Sequence, residues 1–134
     1  MTRPTFMTID LAALKHNFER IRQLAPKSKI IAMVKANAYG HGIKRVAQAL
    51  SHADAFGVAS LDEGLMLRDA GIAQPIVLME GLFEAHELQE AAHYDFTLVA
   101  HHGLHLEMLE AATLLQPLSV WLKINTGIDR KSVV

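Results

Sequence analysis

The stretch IIAMVKANAYGHG, from Ile30 to Gly42, sets the fold and raises the first question about function. Five apolar residues run directly into Lys35, and a loop of small residues, Tyr39 and two glycines follows. An unbroken apolar run of this kind is typical of a parallel strand that is buried on both faces. We therefore predict a fully buried strand over KIIAMV that ends at an ammonium group, followed by a ligand-binding turn.

The same strand pattern returns at regular intervals along the chain, with helix patterns between the strands. The later strand patterns are AFGVA, PIVLM, FTLVA and LSVWLKI, which makes five strands in all. Short apolar strands that alternate with helices predict parallel βαβ units. Five strands can build a doubly wound sheet, or they can form part of a (β/α)8 barrel, which needs eight strands to close. The pattern alone leaves both architectures open.

Capping residues mark the ends of two of the predicted helices. Asp10 is the expected N-cap of a first helix that Pro26 closes. Ser60 and Glu63 form an expected capping box at the start of LDEGLMLRDAG, and Gly71 follows at the C′ position. Helix patterns also cover IKRVAQALSHA, EAHELQEAAHY and GLHLEMLEAATLL.

The composition predicts one soluble, compact domain. The 134 residues are 51% hydrophobic with a formal net charge of −1, which argues against a nucleic-acid partner. The absence of cysteine excludes disulfides and thiol chemistry and fits a reducing compartment. The N-terminus has no signal-peptide pattern, and no apolar run approaches the roughly 18 residues of a membrane span. We expect a cytoplasmic protein with no membrane partner.

Lys35 allows two interpretations when only its position is considered. In both α/β architectures, ligands bind at the carboxyl ends of the strands, where Lys35 is expected. Its side chain could extend into solvent from the strand end. Alternatively, an apolar wall could hold its stem and favour a neutral amine that forms a Schiff base. Gly40 and Gly42 allow close approach of backbone, and Tyr39 offers a hydroxyl, so the turn is also a candidate phosphate cradle.

Three blocks of this sequence resemble one family, the alanine racemases. MVKANAYGHG is similar to the cofactor-lysine signature of that family, and WLKINTGIDR is similar to its lysine–x–(Asp/Asn)–Thr–Gly–Met–x–Arg block. PTFMTIDLAALKHNFERIR resembles the family's start, and the blocks follow in the family's order over nearly the whole chain. The resemblance implies a fold type III enzyme that uses pyridoxal 5'-phosphate, with a (β/α)8 barrel before a C-terminal β domain.

The resemblance also implies the roles of four residues. Lys35 would carry pyridoxal phosphate as an internal aldimine and act as the catalytic base on the D-alanine face. Tyr39 would donate a hydrogen bond to the cofactor phosphate, and Arg130 would lie near the substrate and the cofactor. Lys123 matches a lysine that is carbamylated in many family members, and its state here is left open. Without the resemblance, Tyr39 would be expected to fill the loop and Arg130 to be a solvated charge.

The implied reaction is the interconversion of L-alanine and D-alanine by two bases, which supplies D-alanine for peptidoglycan. Family members are homodimers, and the second base is a tyrosine from the C-terminal region of the partner subunit. The only tyrosines of this sequence, Tyr39 and Tyr94, do not match it. The ending KSVV after Arg130 also departs from the family pattern.

We therefore expect residues 1–134 to be a truncated part of the N-terminal barrel domain, without the C-terminal β domain. We expect this chain to be inactive alone and to self-associate through open sheet edges. Two alternatives are a racemase of broader amino-acid specificity and a non-catalytic fragment that binds pyridoxal phosphate or only partner chains.

Three histidines give two weaker signals. His101 and His105 lie outside the three blocks, whereas His41 lies inside the first of them. His101 and His105 have the i, i+4 spacing that can bind a metal, but no third ligand is evident. We expect these histidines to be solvated and to hold no metal. His41 lies inside the predicted turn, and we expect it to support the turn by hydrogen bonding.

Overall fold

A computed structural model describes residues 4–124, which form one five-stranded parallel sheet with helices between the strands. The strands are β1 (Ile31–Met33), β2 (Ala55–Val58), β3 (Ile76–Leu78), β4 (Phe96–Ala100) and β5 (Ser119–Leu122). The helices are α1 (Leu11–Leu24), α3 (Ile43–Ala49), α4 (Leu61–Asp69), α5 (Glu87–His93) and α6 (Gly103–Ala111), and α2 (Lys35–Tyr39) is a single turn. The predicted alternation of strands and helices is confirmed.

The order of the strands separates the two architectures that the sequence left open. The sheet order is β1-β2-β3-β4-β5, so each strand pairs with the next strand along the chain. A doubly wound sheet reverses its order at a switch point, whereas the strands of a (β/α)8 barrel follow one another in chain order. The five units therefore have the arrangement of consecutive strands in a (β/α)8 barrel.

The core lies mainly between the three central strands and the helices that pack on them. Most of the largest fully buried side chains come from β2, β3, β4 and the helices that follow β2 and β3; they include Phe56, Leu67, Leu78, Leu88 and Phe96. Each contributes on the order of 1.5–3 kcal/mol when it is transferred from water to this core. The central strands are buried along almost their whole length, as continuous apolar runs predict.

The prediction of a fully buried first strand is wrong in its extent. Only Ile31–Met33 form β1, and all three residues are half-buried. Within residues 4–124, β1 pairs with β2 alone, so one side of the strand is an edge. Val34 leaves the extended conformation with a ψ of 15°, although it is fully buried and its N–H donates to the carbonyl of Gly57.

The other edge strand of the described residues is more exposed than the first. All four residues of β5 are exposed, and Trp121 keeps 49% of its surface accessible. The apolar side chains within LSVWLKI therefore lie on a sheet edge that no other strand of the described residues covers. Self-association through such edges stays a prediction.

The expected caps are confirmed with one correction. Asp10 accepts hydrogen bonds from the N–H groups of Ala12 and Ala13, and Ser60 accepts one from Glu63 at 3.5 Å. Gly71 has the positive φ, 79°, that a C′ glycine supplies. The second half of the capping box is wrong, because the Glu63 carboxylate bonds to other N–H groups, described below.

No helix within residues 4–124 combines the length and the apolar character that crossing a membrane requires.

Candidate active site

A cleft of about 680 Å³ opens at the carboxyl ends of the strands. Its polar lining consists of Lys35, Glu80, His101, His102, His105 and Lys123. Its apolar walls include Met33, Met79, Leu82, Phe83 and Met108. These residues come from the ends of β1, β3, β4 and β5 and from α6. In parallel α/β folds this edge of the sheet is where ligands bind.

Lys35 is sheltered in this cleft. It follows β1 by two residues, and its side chain keeps only 24% of its surface accessible. Its Nζ atom lies 3.5 Å from Oε1 of Glu80, a residue that follows β3. The arrangement fits an amine held inside a wall and not one extended into solvent.

The turn that carries Lys35 has an unusual backbone. Ala36, Asn37, Ala38 and Tyr39 all have φ between 52° and 54°, which is the left-handed helical region. For residues other than glycine, this conformation costs about 1–2 kcal/mol per residue, so the surrounding structure has to hold the turn in place. Gly40 and Gly42, which follow with φ of 86° and 91°, adopt a positive φ without that cost.

Backbone and side-chain hydrogen bonds close the turn onto α3. The Asn37 side-chain oxygen accepts from the N–H of Ile43 at 2.9 Å, which caps α3. His41 Nδ1 lies 2.9 Å from the carbonyl oxygen of Ala38, so the expected support by His41 is confirmed. The N–H of Ala38 donates to the carbonyl of Val34 at 2.8 Å. The turn is thus tied to the elements on both of its sides.

Glu63 ties the same turn to the neighbouring strand and helix. Its Oε1 atom accepts from the N–H of Ala36 at 2.6 Å, and its Oε2 atom accepts from the N–H of Ala59 at 2.9 Å. Ala36 follows Lys35 directly, whereas Ala59 follows β2. One carboxylate therefore bridges the first and second strand ends, with two charge-assisted hydrogen bonds.

His101 and His105 are half-buried and their rings are in contact, so they are not the fully solvated side chains that the sequence predicts. The rings of His101 and His105 are edge to face at 4.8 Å, and the backbone N–H of His101 lies 3.4 Å from Nδ1 of His105. Burial, and then the neighbouring His101 and His102, lower the pKa of His105. The ring of His105 packs against Gly81, where an added Cβ would lie 2.5 Å from its Cε1 atom.

Metal binding gains no support from this cluster. Within the part of the chain that the structure describes, no three His, Cys, Asp or Glu side chains are placed to hold a metal ion. The Nδ1 atom of His101 is buried and has no hydrogen-bond partner among residues 4–124. His102 uses its own Nδ1 to accept from the N–H of Leu104 at the start of α6.

The structure brings together two of the four residues that the resemblance singled out. Lys35 and Lys123 line the same cleft, from the ends of β1 and β5. Tyr39 lies apart: its side chain is exposed and lines a separate cleft of about 490 Å³ against α1. Arg130 lies outside the described residues, so its role and that of Tyr39 stay predictions.

Glu80, His102 and Glu63 are site residues that the sequence reasoning missed. No motif marks them, but one signal was available. Glu80 and His102 each lie two residues after an apolar strand, as Lys35 does, and parallel strands end at a common edge. Applying that rule to every strand, and not only to the first, would have found Glu80 and His102. The capping pattern predicts only a local role for Glu63.

Chemically, the cleft offers a sheltered primary amine next to a carboxylate, with thioether and aromatic walls. An amine of this kind can condense with an aldehyde once it has lost its proton. The apolar walls supply room for a flat ring beside the amine.

Comparison with known proteins identifies the family. The family model described as alanine racemase, N-terminal domain, matches residues 9–131. The chain belongs to the alanine racemase family. It is 50% identical over 118 residues to an alanine racemase from Shewanella loihica, covering 88% of this chain and 33% of that relative.

Solved structures of alanine racemases have the same fold. The alanine racemase of Acinetobacter baumannii matches with a TM-score of 0.82 and 48% identity, covering 91% of this chain and 35% of that chain. A structure named as a histidine racemase, from Leuconostoc mesenteroides, matches with a TM-score of 0.76 and 33% identity, covering 90% and 33% of the two chains. The chain thus spans about a third of the length of the relatives it matches.

Proposed function

We propose that this chain supplies the cofactor-lysine half of the active site of an alanine racemase that uses pyridoxal phosphate. Lys35 is the amine that binds the cofactor covalently. The observation that carries the proposal is the position of Lys35: at a strand end, sheltered in the cleft of about 680 Å³, and sharing that cleft with Lys123. Family membership supports alanine as the substrate.

The residues of the cleft fit the ring end of pyridoxal phosphate. When bound, pyridoxal phosphate delocalises the negative charge that forms when an amino acid loses its α-proton. Lys35 holds the cofactor and afterwards moves the proton on one face of the substrate. Met33, Met79 and Phe83 line the cleft and supply apolar surface for the ring. Lys123 places a second nitrogen in the same cleft.

The tyrosine that the family resemblance implies as the second base has no counterpart among the residues that line the cleft. Racemisation needs a base on each face of the substrate. The two tyrosines of the sequence lie elsewhere, Tyr39 in the cleft against α1 and Tyr94 beside Phe96. We therefore propose that the chain by itself condenses with pyridoxal phosphate but does not turn over alanine.

Absorbance spectroscopy and a D-alanine assay test the two halves of this proposal. Pyridoxal phosphate added to the purified chain should give the absorption band of a protonated Schiff base, and Lys35→Ala should abolish it. Lys44→Ala, which removes an exposed lysine of α3, is the matched control and should leave the band unchanged. Absence of the band in the unmodified chain would refute the proposed cofactor site.

The proposed lack of turnover is tested in a separate assay. Incubation of the loaded chain with L-alanine should give no D-alanine above the level of the Lys35→Ala variant. Appreciable turnover by the unmodified chain would refute the proposed need for a second base from outside these residues.

The relative named histidine racemase favours a second candidate function, a racemase for a larger amino acid. The two candidates share the cofactor lysine and differ only in substrate. The two candidates can be discriminated by measuring turnover of alanine and of histidine in parallel. The enzyme measured should contain this chain together with the residues that supply the second base.

A further inference from the structure

We propose that Glu63 is a positioning residue that holds the Lys35 amine in place through the N–H of Ala36. The inference rests on the proposed function of Lys35 and extends it to a residue outside the cleft. Glu63 does not touch the amine. Its carboxylate instead accepts the hydrogen bond of the residue that follows Lys35 in the chain.

The need for such a residue comes from the backbone of the turn. Four successive residues, 36–39, adopt left-handed angles although none of them is glycine. A segment with these residue types returns to right-handed or extended angles unless other contacts hold it. The direction in which Lys35 leaves the backbone depends on that choice, because Lys35 and Ala36 share a peptide plane.

Glu63 holds the first peptide of this turn from a rigid position. It lies in the first turn of α4, where the Ser60 side chain accepts a hydrogen bond from the Glu63 N–H. Its other carboxylate oxygen is fixed by the N–H of Ala59. The bond to Ala36 is therefore anchored to β2 and α4, which are among the best-packed elements of the described chain.

The other hydrogen bonds of the turn do not replace this one. Those of Asn37 and His41 hold its later residues to each other and to α3. Glu63 reaches across 27 residues of sequence to the peptide next to the lysine. A glutamine at position 63 replaces one of the two accepting oxygens with an NH2 donor and removes the negative charge, so the bond to Ala36 is either lost or weakened.

Two readouts on the full chain test the inference. The first is the hydrogen-exchange rate of the Ala36 amide, which needs no cofactor. The second is the rate at which pyridoxal phosphate with borohydride labels Lys35, resolved by peptide mass. Glu63→Gln should raise the exchange rate and lower the labelling rate by about ten-fold each, as expected for the loss of a hydrogen bond to a charged acceptor.

Asp62→Asn is the matched control, since it removes one exposed negative charge from the same helix turn. It should leave both rates within about two-fold of the unmodified chain, and labelling of Lys44 should be equal in every variant. If Glu63→Gln does not fold by circular dichroism, Glu63→Asp keeps the charge and shortens the reach, and it should change both rates in the same direction.

Equal Ala36 exchange and equal Lys35 labelling in the Glu63 and Asp62 variants would overturn the inference. Faster exchange with unchanged labelling would overturn the link to the amine. If the unmodified chain is not labelled at Lys35 at all, the proposed function fails. Ala36 exchange then decides alone whether Glu63 holds the turn.

Discussion

The Nζ atom of Lys35 lies 3.5 Å from the Oε1 atom of Glu80, so an amine at the end of the first strand is paired with a carboxylate at the end of the third. Both residues line the cleft, and Glu80 is the more exposed partner, with 51% of its side-chain surface accessible. A part-exposed pair of this kind contributes about 0.2–1 kcal/mol. Lys35 therefore has to react from an ion pair with Glu80.

Replacing Glu80 with glutamine should speed the condensation of Lys35 with pyridoxal phosphate. The ion pair has to be broken before the amine attacks an aldehyde, and its removal is worth up to about five-fold in rate. Stopped-flow absorbance measures that rate. Glu84→Gln removes a carboxylate that is exposed and paired with His86, and it should have no effect. A slower reaction of Glu80→Gln would show that the carboxylate assists the amine.

The unfolding free energy should fall in acid because of Asp54. The N–H of Ile30 and, further, the guanidinium of Arg22 lower the pKa of Asp54 below its ordinary value of about 3.8. A carboxyl group whose pKa is lowered by folding stabilises the fold above its unfolded pKa and loses that contribution as pH falls through the folded pKa.

Denaturant unfolding between about pH 5 and pH 2 measures this contribution. The unmodified chain should lose more stability over that window than Asp54→Asn, whose side chain does not titrate. Asp62→Asn is the control and should follow the unmodified chain. Parallel pH profiles for the unmodified chain and Asp54→Asn would contradict the role of Asp54.

Alanine at position 81 should destabilise the fold through both its backbone and His105. Gly81 has a φ of 81°, and an added Cβ would meet the imidazole of His105 at 2.5 Å. Gly71→Ala is the matched control, because Gly71 has a φ of 79° and nothing within 4 Å of an added Cβ. The control should cost about 1–2 kcal/mol, and Gly81→Ala should cost more.

A double-mutant cycle isolates the contact with the ring. In the His105→Ala background, Gly81→Ala should cost only as much as Gly71→Ala, which gives a coupling energy of about 0.5–3 kcal/mol. Additive effects of Gly81→Ala and His105→Ala would mean that the two groups do not touch.

Gly64→Ala should destabilise the chain although it places a better helix former in α4. An added Cβ would lie 2.9 Å from the Cζ atom of Phe96, whose side chain is fully buried. Overpacking of this kind costs about 1–3 kcal/mol, more than the gain in helix propensity of about 0.5–1 kcal/mol. Gly103→Ala in α6 meets nothing within 4 Å and should be neutral or stabilising. Equal midpoints of thermal unfolding for the two variants would contradict the contact.

The parts of the fold that depend on local interactions could be predicted from the sequence. Asp10, Ser60 and Gly71 each act within one turn of the helix that they delimit, so the residue type is enough to place them. The helix pattern predicts that α5 begins at Glu84, whereas the helix begins at Glu87. The carboxylate of Glu87 accepts hydrogen bonds from the N–H groups of Phe83 and Glu84, and these bonds form a turn before the helix.

The left-handed turn after Lys35 could not be predicted, because it contradicts the preferences of its own residues. Ala36, Ala38 and Tyr39 normally avoid positive φ, and the contact that holds the first of them comes from Glu63, which is remote in sequence. In this turn, the sequence predicts an unusual backbone only at Gly40 and Gly42. A conformation that is stabilised by residues distant in sequence cannot be predicted from the local sequence.

The candidate site was predicted where a strand end coincides with a motif. Lys35 fulfilled both conditions, whereas Lys123 lies inside the predicted strand LSVWLKI and was marked by the motif alone; the two lysines share the cleft. Glu80 and the histidines after β4 fulfilled only the first condition. The pairing of Glu80 with Lys35 depends on how the ends of β1 and β3 are placed relative to each other, which pattern alone does not give.

Borohydride trapping of the pyridoxal phosphate adduct, mapped by peptide mass, decides whether Lys35 is the amine that condenses with the cofactor. At low stoichiometry the label should lie on Lys35, ahead of the exposed lysines and of Lys123 in the same cleft. Label distributed over the lysines according to their exposure, or located on Lys123 with Lys35 unmodified, would contradict that role of Lys35.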